Sequence, residues 1–419
     1  MDDRPATYRD VFAVNEYVHL FTANALSQLG DQLAKVALTF LVFDRTGSPV
    51  LSAAAFAVSF VPWVVGGPLL SAYADRLPRR TVTIVCDVIR AVLVATLAIP
   101  GVPVGALIGI LFVANIFSPP FSSARAAMMP DVLEGDRYVV GNGLDNVTGQ
   151  LCQVLGFALG GPAIHALTAP GALLADSGTF VLSALLLAVG VKHRPAVTAS
   201  VGMGLGSILR ASASGAAFVF RSRRLRAYLL LFWLASAFSF SVEGLVAPLS
   251  AELNGGPNVG GVLLAVPPMG VALGGVIVVR MCAPSLRIRL TLPLAVLACS
   301  ALIPIVWSPP LGVVLALLAL MGFGNSFALP LNPLFVRAVP TEYRGRAMGV
   351  AVSGQNVCLG LAMFLAGLLA ERLSPTVVIG LSGLVGTLVV FGLATIWPHP
   401  TFRTDAASSA TGPSGEAAA

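Results

Sequence analysis

Apolar residues dominate this chain in long runs, and short polar stretches separate one run from the next. Twelve runs can be placed, near 18–43, 50–73, 82–100, 104–128, 141–168 and 171–191, then 227–249, 259–280, 290–307, 311–336, 347–371 and 375–397. A helix rises about 1.5 Å per residue, so each run can cross the ~30 Å hydrocarbon core of a bilayer. The runs are apolar all round rather than along one stripe, which suits helices whose solvent is lipid. The pattern predicts an all-α membrane protein with twelve transmembrane helices.

Composition strengthens this. Hydrophobic residues make up 56% of the 419 and charged residues only 11%, with a mean hydropathy of +0.88. A soluble domain of that composition would lack the polar surface to cover its core. Charge then sets orientation. The N-terminal arm and the connections after even-numbered spans carry Arg4, Arg9, Arg76, Arg79, Arg80, Arg137, Lys192, Arg194, Arg221, Arg223, Arg224, Arg226, Arg287, Arg289, Arg344 and Arg346. The opposite connections offer only Arg45 and Arg372. Basic loops stay in the cytoplasm, so both termini are expected there, in a multi-pass protein of the cytoplasmic (inner) membrane. The net charge of +6 follows from that topology and calls for no nucleic-acid partner. The mixed charges of the first 17 residues show no removable signal peptide. Cys86, Cys152, Cys282, Cys299 and Cys358 stand singly, without metal-site spacing, and read as small packing residues. No metal and no cofactor is expected.

The chain divides at its middle. Residues 192–226 form the longest polar connection and read as a cytoplasmic linker with an amphipathic helix on the anionic leaflet. Gly202, Gly204 and Gly206 lie in it, but no strand precedes them as a phosphate loop requires. Pro120 and Pro130 recur as Pro330 and Pro340, half a chain later, each pair ending an even-numbered span. Duplication explains this: a cytoplasmic arm (1–17), a six-helix half (18–191), the linker (192–226), a second half (227–397) and a disordered tail (398–419), with a cavity between the halves.

The loop between spans two and three carries a motif. Gly66-Gly67-Pro68-Leu69-Leu70-Ser71-Ala72-Tyr73-Ala74-Asp75-Arg76-Leu77-Pro78-Arg79-Arg80 resembles the signature of the major facilitator superfamily, with Ser71 and Pro78 where that family usually has glycine. Ser27-Gln28-Leu29-Gly30-Asp31-Gln32, Thr46-Gly47-Ser48-Pro49, Met129-Pro130-Asp131 and Arg344-Gly345-Arg346-Ala347-Met348-Gly349 are similar to the twelve-helix drug:proton antiporters related to macrolide-efflux and siderophore-export proteins. The resemblance runs over about residues 15–397. It implies proton-driven export of small, often amphipathic molecules. In the fifth span, Gly156, Gly160, Gly161 and Pro162 resemble the antiporter signature of such exporters; ordinary small-residue packing is the competing reading.

The charges suggest a conformational latch. Asp75 is expected to face the positive N-terminal end of span eleven beyond Arg344 and Arg346, with Arg76, Arg79 and Arg80 beside it, unless these charges merely anchor helix ends. Charges within spans are costly and so are candidates for proton coupling. Asp31 and Lys35, four apart, share a face of span one and form either a proton carrier with its partner or a permanent ion pair. Glu243, in span seven, has no basic residue within a turn and is either a carrier or a side chain reaching external water. Asp87, Arg90, Asp145 and Asp176 read as helix-end anchors. Asn325, Gln355 and Asn356, with Phe238 and Phe240 beside Phe232, Trp233 and Phe327, are candidates for the substrate cavity; core or lipid-facing packing competes.

Two other classes fare worse. Gly380-Leu381-Ser382-Gly383 mimics an intramembrane serine-protease turn, but the only later histidine is His399, past the last span, so an enzyme is not expected. A Walker loop is missing, so ATP is not the direct energy source. The expectation is a monomeric exporter contacting small-molecule substrate, protons and membrane lipids. The alternative is an importer of a small organic solute on the same fold.

Overall fold

The computed structural model describes residues 6–63, 77–194 and 214–397, and every regular element among them is helical. Short α1 (Tyr8–Phe12) precedes α2 (Asn15–Thr46). Gly47, at φ +63°, ends α2 in a left-handed turn that a side chain would strain. Ser48 then caps α3 (Pro49–Ala57): its hydroxyl accepts the Leu51 N–H, and Pro49 needs no donor in the first turn. After the loop motif come α4 (Arg79–Leu97), α5 (Val104–Ile116), α6 (Ser118–Val132) and the 55-residue α7 (Asp136–Gly190). The second part of the chain holds α8 (Arg223–Gly244), α9 (Val246–Glu252), α10 (Gly256–Met281), α11 (Pro284–Ser300), α12 (Leu311–Asn325), α13 (Ala328–Ala338), α14 (Arg344–Ala370) and α15 (Pro375–Ala394).

Eight helical stretches among the described residues are long and apolar enough to cross a membrane: Val104–Val132, Asp136–Gly190, Arg223–Gly244, Gly256–Met281, Pro284–Trp307, Leu311–Ala338, Thr341–Ala370 and Pro375–Ala394. Helices α2 and α4 are also long, but Asp31, Lys35, Asp87 and Arg90 interrupt their apolar character. A straight α7 would span roughly 80 Å, too long for one crossing. It is broken at Thr168 (φ 65°, ψ 165°) into arms 136–167 and 169–190, at the boundary expected between the fifth and sixth runs.

Helices from residues 8–190 pack chiefly on one another, α2 and α4 against α7; those from 223–394 do the same, α8 against α14 and α15, and α10 against α12. The main bridges between the two groups are α7 with α10 and α3 with α14. Glycines make the approach close. A side chain on Gly161 would strike the backbone of Pro257 and Asn258, and one on Gly367 would strike Ala53. One apolar core joins Val36, Phe40, Phe56 and Phe157 to Leu245, Leu263, Met363 and Val378. At the same end the Ser48 hydroxyl donates to Glu371 Oε1 at 2.5 Å and the Val50 N–H to the same oxygen at 3.2 Å. The remaining cores each lie within one group. The bundle is thus sealed between its groups toward the end that holds Ser48, Gly161 and Glu371.

Candidate functional site

The α2 sequence places Asn24, Ser27, Gln28, Asp31, Gln32 and Lys35 at steps of three and four, so they share one face. That face borders a polar cavity of about 320 Å³. Ser59 and Trp63 beyond α3, Arg90 of α4, Asn115 of α5 and Ser118, Phe121, Ser122 and Arg125 of α6 complete its wall. Charge is distributed by pairing across helices. Arg90 donates to Asp31 Oδ1 at 2.5 Å, and its guanidinium lies 4.1 Å from the centre of the Phe180 ring. Arg125 pairs with Asp145 at 2.5 Å.

This overturns the expected Asp31–Lys35 pair. Lys35 instead donates to Gln32 Oε1 at 3.1 Å and sits 5.9 Å from the Phe60 ring centre. Arg90 reaches the carboxylate from a neighbouring helix through one guanidinium arm, while Lys35, one turn up the same helix, turns to Gln32. Nor are Asp87, Arg90 and Asp176 helix-end anchors. Helix α4 begins at Arg79, which puts Asp87 and Arg90 in its interior, and the three residues are 0%, 3% and 1% exposed. Asp145 is likewise no anchor, since it neutralises Arg125 inside the bundle. Asp87, Arg90, Arg125 and Asp176 are the cluster members that sequence reasoning missed. Each is a charge within or beside an apolar run, and the i, i+3 pair Asp87/Arg90 was the available signal.

Glu243 lies near the end of α8 and is only 6% exposed, so it does not reach external water. Its neighbours Val242, Leu245 and Val246 belong to the core shared by the two groups. Arg223, Arg224 and Arg226 stand at the far start of its own helix, whereas Val36, next to Lys35 on α2, belongs to the same core as Val242. The structure therefore brings Asp31, Lys35 and Glu243 into one electrostatic neighbourhood.

A second cavity, of about 380 Å³, is apolar and lies between α8, α13 and α14. Tyr228, Phe232, Leu331, Phe335, Met348 and Val352 contribute to its wall, with Asn332 as a polar group. Phe238 packs against Gly386, and Phe240 joins the shared core. Asn325 is buried and occupied: its amide donates to Met321 O at 3.0 Å and its Oδ1 accepts from Ser239 at 3.1 Å. Asn356 donates to Val352 O at 2.9 Å, while Gln355 Oε1 is buried without a protein partner.

The α7 glycines pack as close contacts: Gly156 against Gln32, Gly160 against Val36 and Gly161 against α10, with Pro162 next in the helix. Of the latch residues, Asp75 and Arg76, and the motif from Gly66, lie outside the described residues, as do Gly202, Gly204, Gly206 and the tail. Arg79 donates to Ala127 O at 2.6 Å and to Asp131 at 2.8 Å; Arg80 holds the carbonyls of Leu187 and Ala188. Arg344 and Arg346 are exposed, with Arg346 5.8 Å from the Tyr343 ring centre. Beside Asp131, Arg194 forks onto Glu16. Burial opposes ionisation of Glu16, but Arg194 and the Lys192 N–H outweigh it and hold the carboxyl below its usual range.

The family model of the Major Facilitator Superfamily matches residues 20–336 and, again, 244–417. The multidrug efflux pump Tap of Mycolicibacterium fortuitum is 26% identical over 362 residues, covering 82% of this chain and 86% of that protein. The Tap pump of Mycobacterium tuberculosis (strain ATCC 25618 / H37Rv) is 25% identical over 379 residues, covering 83% and 85%. Among solved structures, the nucleoside transporter NupG superposes with a TM-score of 0.71 at 13% identity, covering 91% of this chain and 99% of that one. A POT family transporter in complex with 5-aminolevulinic acid gives 0.72 at 12%, covering 91% and 96%. At those identities the likeness is one of fold.

Proposed function

Because the chain belongs to the major facilitator superfamily, a family of multi-pass membrane transporters, we propose that it is a proton-coupled exporter of small amphipathic molecules. The carrying observation is the polar cavity, in which Asp31, Lys35 and Arg90 lie well inside α2 and α4 rather than at their ends. Charges at that depth are costly and are kept where they move ions or bind substrate. The Tap relatives support the outward direction. The two cavities suit a molecule with a polar end for the α2 face and an apolar body for the pocket around Phe232 and Phe335.

In this reading the chain crosses the cytoplasmic membrane twelve times with both termini inside, as two six-helix halves (18–191 and 227–397) joined by the 192–226 linker, and works as a monomer. The basic connections then face the cytoplasm, so the sealed end with Ser48 and Glu371 faces outward. Substrate enters from the cytoplasm while Glu243 and Asp31 exchange protons with the cavity. Rocking of the halves opens the sealed end, and Asp75 then engages the exposed start of α14 at Arg344 and Arg346.

Accumulation of ethidium and of a panel of antibiotics in efflux-deficient cells tests the reading. Expression is expected to lower accumulation, and an uncoupler that collapses the proton gradient to restore it. Energy-dependent uptake of a solute instead would establish the importer, and lowered accumulation indifferent to the uncoupler would remove the proton.

A further inference from the structure

Beneath the polar cavity a smaller pocket continues between α2, α4 and the second arm of α7, with Asp31, Lys35, Ser59, Arg90, Asn115 and Asp176 in its wall. Asp176 is 1% exposed. Its carboxyl occupies space that Gly30 leaves on α2, next to Asp31, because any side chain there would collide with Asp176 and Thr179. The Thr179 hydroxyl donates to the Asp176 carbonyl oxygen at 2.7 Å and lies 3.3 Å from Oδ1, and Oδ2 has no protein partner. Asp87 is fully buried; its Oδ2 accepts from Ser183 at 2.5 Å and its Oδ1 has no protein partner. Arg90 spends one arm on Asp31, while its buried Nε is unpartnered.

The charges do not balance unless protons fill the gap. Asp31 is bonded to Arg90, Asp176 shares a pocket wall with both, and Asp87 lies one turn before Arg90 on α4; the next cation, Lys35, lines the same pocket and adjoins Val36, whose core also holds Val242 beside Glu243. Helix α5 carries no charge, and Arg125 on α6 is engaged with Asp145. Four carboxyl groups thus face two cations, and three of the four, Asp87, Asp176 and Glu243, are buried. Excess negative charge in such a place is strongly disfavoured, so carboxyls without a cation hold protons.

We propose that Asp176, backed by Asp87, is a second proton-holding site behind the cavity, and that Arg90 exchanges its carboxylate partner between Asp31 and Asp176. This rests on the proton-coupled reading above and adds to it a reservoir and a route. In this scheme Asp31, bonded to Arg90, is the carboxylate and Asp176 is the acid. One proton passes from an Asp176 oxygen to an Asp31 oxygen; one O–H bond breaks and another forms. The guanidinium follows the negative charge, pivoting on the Phe180 ring. The number of charges in the bilayer does not change, so the exchange avoids the cost of creating one there.

The test uses the purified full chain in liposomes, with ethidium as the probe and an imposed pH gradient. Asp176→Asn is expected to lose gradient-driven uphill movement while keeping ethidium exchange at equal pH, and Asp176→Glu to restore the uphill step. Infrared spectroscopy at neutral pH is expected to show a protonated carboxyl band that Asp176→Asn removes. Uphill pumping by Asp176→Asn at the wild-type rate, or an unchanged band, overturns the proposal. If the wild-type protein moves no ethidium against its gradient, the exporter reading fails, and the band alone decides the reservoir. If Asp176→Asn does not fold, Asp176→Glu is examined in the same way: the band must move from the aspartic to the glutamic position, and a band that stays put refutes the assignment.

Discussion

Arg90→Met tests the charge cluster where it is most sensitive. The guanidinium is 4% exposed, pairs with Asp31 and stacks on Phe180. Breaking a buried pair by removing one partner costs about 3–5 kcal/mol, and a desolvated cation–π contact adds about 1–2 kcal/mol. Asp31 is 31% exposed, so water recovers part of its charge, and Asp87 and Asp176 can neutralise themselves with protons. The net loss is therefore about 2–4 kcal/mol. Asp31→Asn should be milder, about 1 kcal/mol, because Arg90 keeps two other carboxyls within electrostatic reach. The double variant should be less damaged than the sum of the singles by about 1–3 kcal/mol. Reversible denaturation in detergent, followed by tryptophan fluorescence, measures all three. The reasoning is refuted if Arg90→Met costs no more than Asp31→Asn, or if the two losses add without coupling.

Further expectations concern transport and pH. Glu243→Gln should express normally and lose uncoupler-sensitive efflux, read as ethidium accumulation in cells; unchanged efflux removes Glu243 as a carrier. Asp75→Asn should abolish transport at normal expression, and full activity in that variant removes the latch. Gly161→Leu should push against Pro257 and Asn258, costing about 1–3 kcal/mol in a thermal melt and slowing efflux, as overpacking does. Glu16 has a folded pKa below its unfolded value of about 4.5, so its bond to Arg194 contributes fully above that pH and is lost as pH falls through the lowered value. Melting temperature between pH 6 and pH 3 should therefore fall more steeply for the wild type than for Glu16→Gln.

Much of the fold was legible because lipid imposes long apolar helices whatever their neighbours. The boundary expected near residues 168–171 coincides with the Thr168 break, and the glycines of residues 156–161 meet α2 and α10 as close-packing residues should. The candidate site was only half legible. Asp31, Lys35 and Glu243 stood out as charges in apolar runs, but sequence spacing sees only one helix at a time. It paired Asp31 with Lys35, four residues away, when the partner was Arg90 on α4. Asp87 and Asp176 were misplaced for a related reason: a run that is apolar all round fixes neither its ends nor its rotation to within a turn. Asn325 and Phe238 looked like cavity residues on the same ground, and both are taken up by packing among residues 223–394.

The central claim is exchange of protons for substrate. Its most direct measurement is proton flux in liposomes that hold the purified protein and an internal pH-sensitive dye, on addition of external ethidium without any imposed gradient. The account predicts that ethidium entry drives protons out and raises the internal pH, and that Glu243→Gln abolishes the signal. Ethidium entry with no change in internal pH would contradict it.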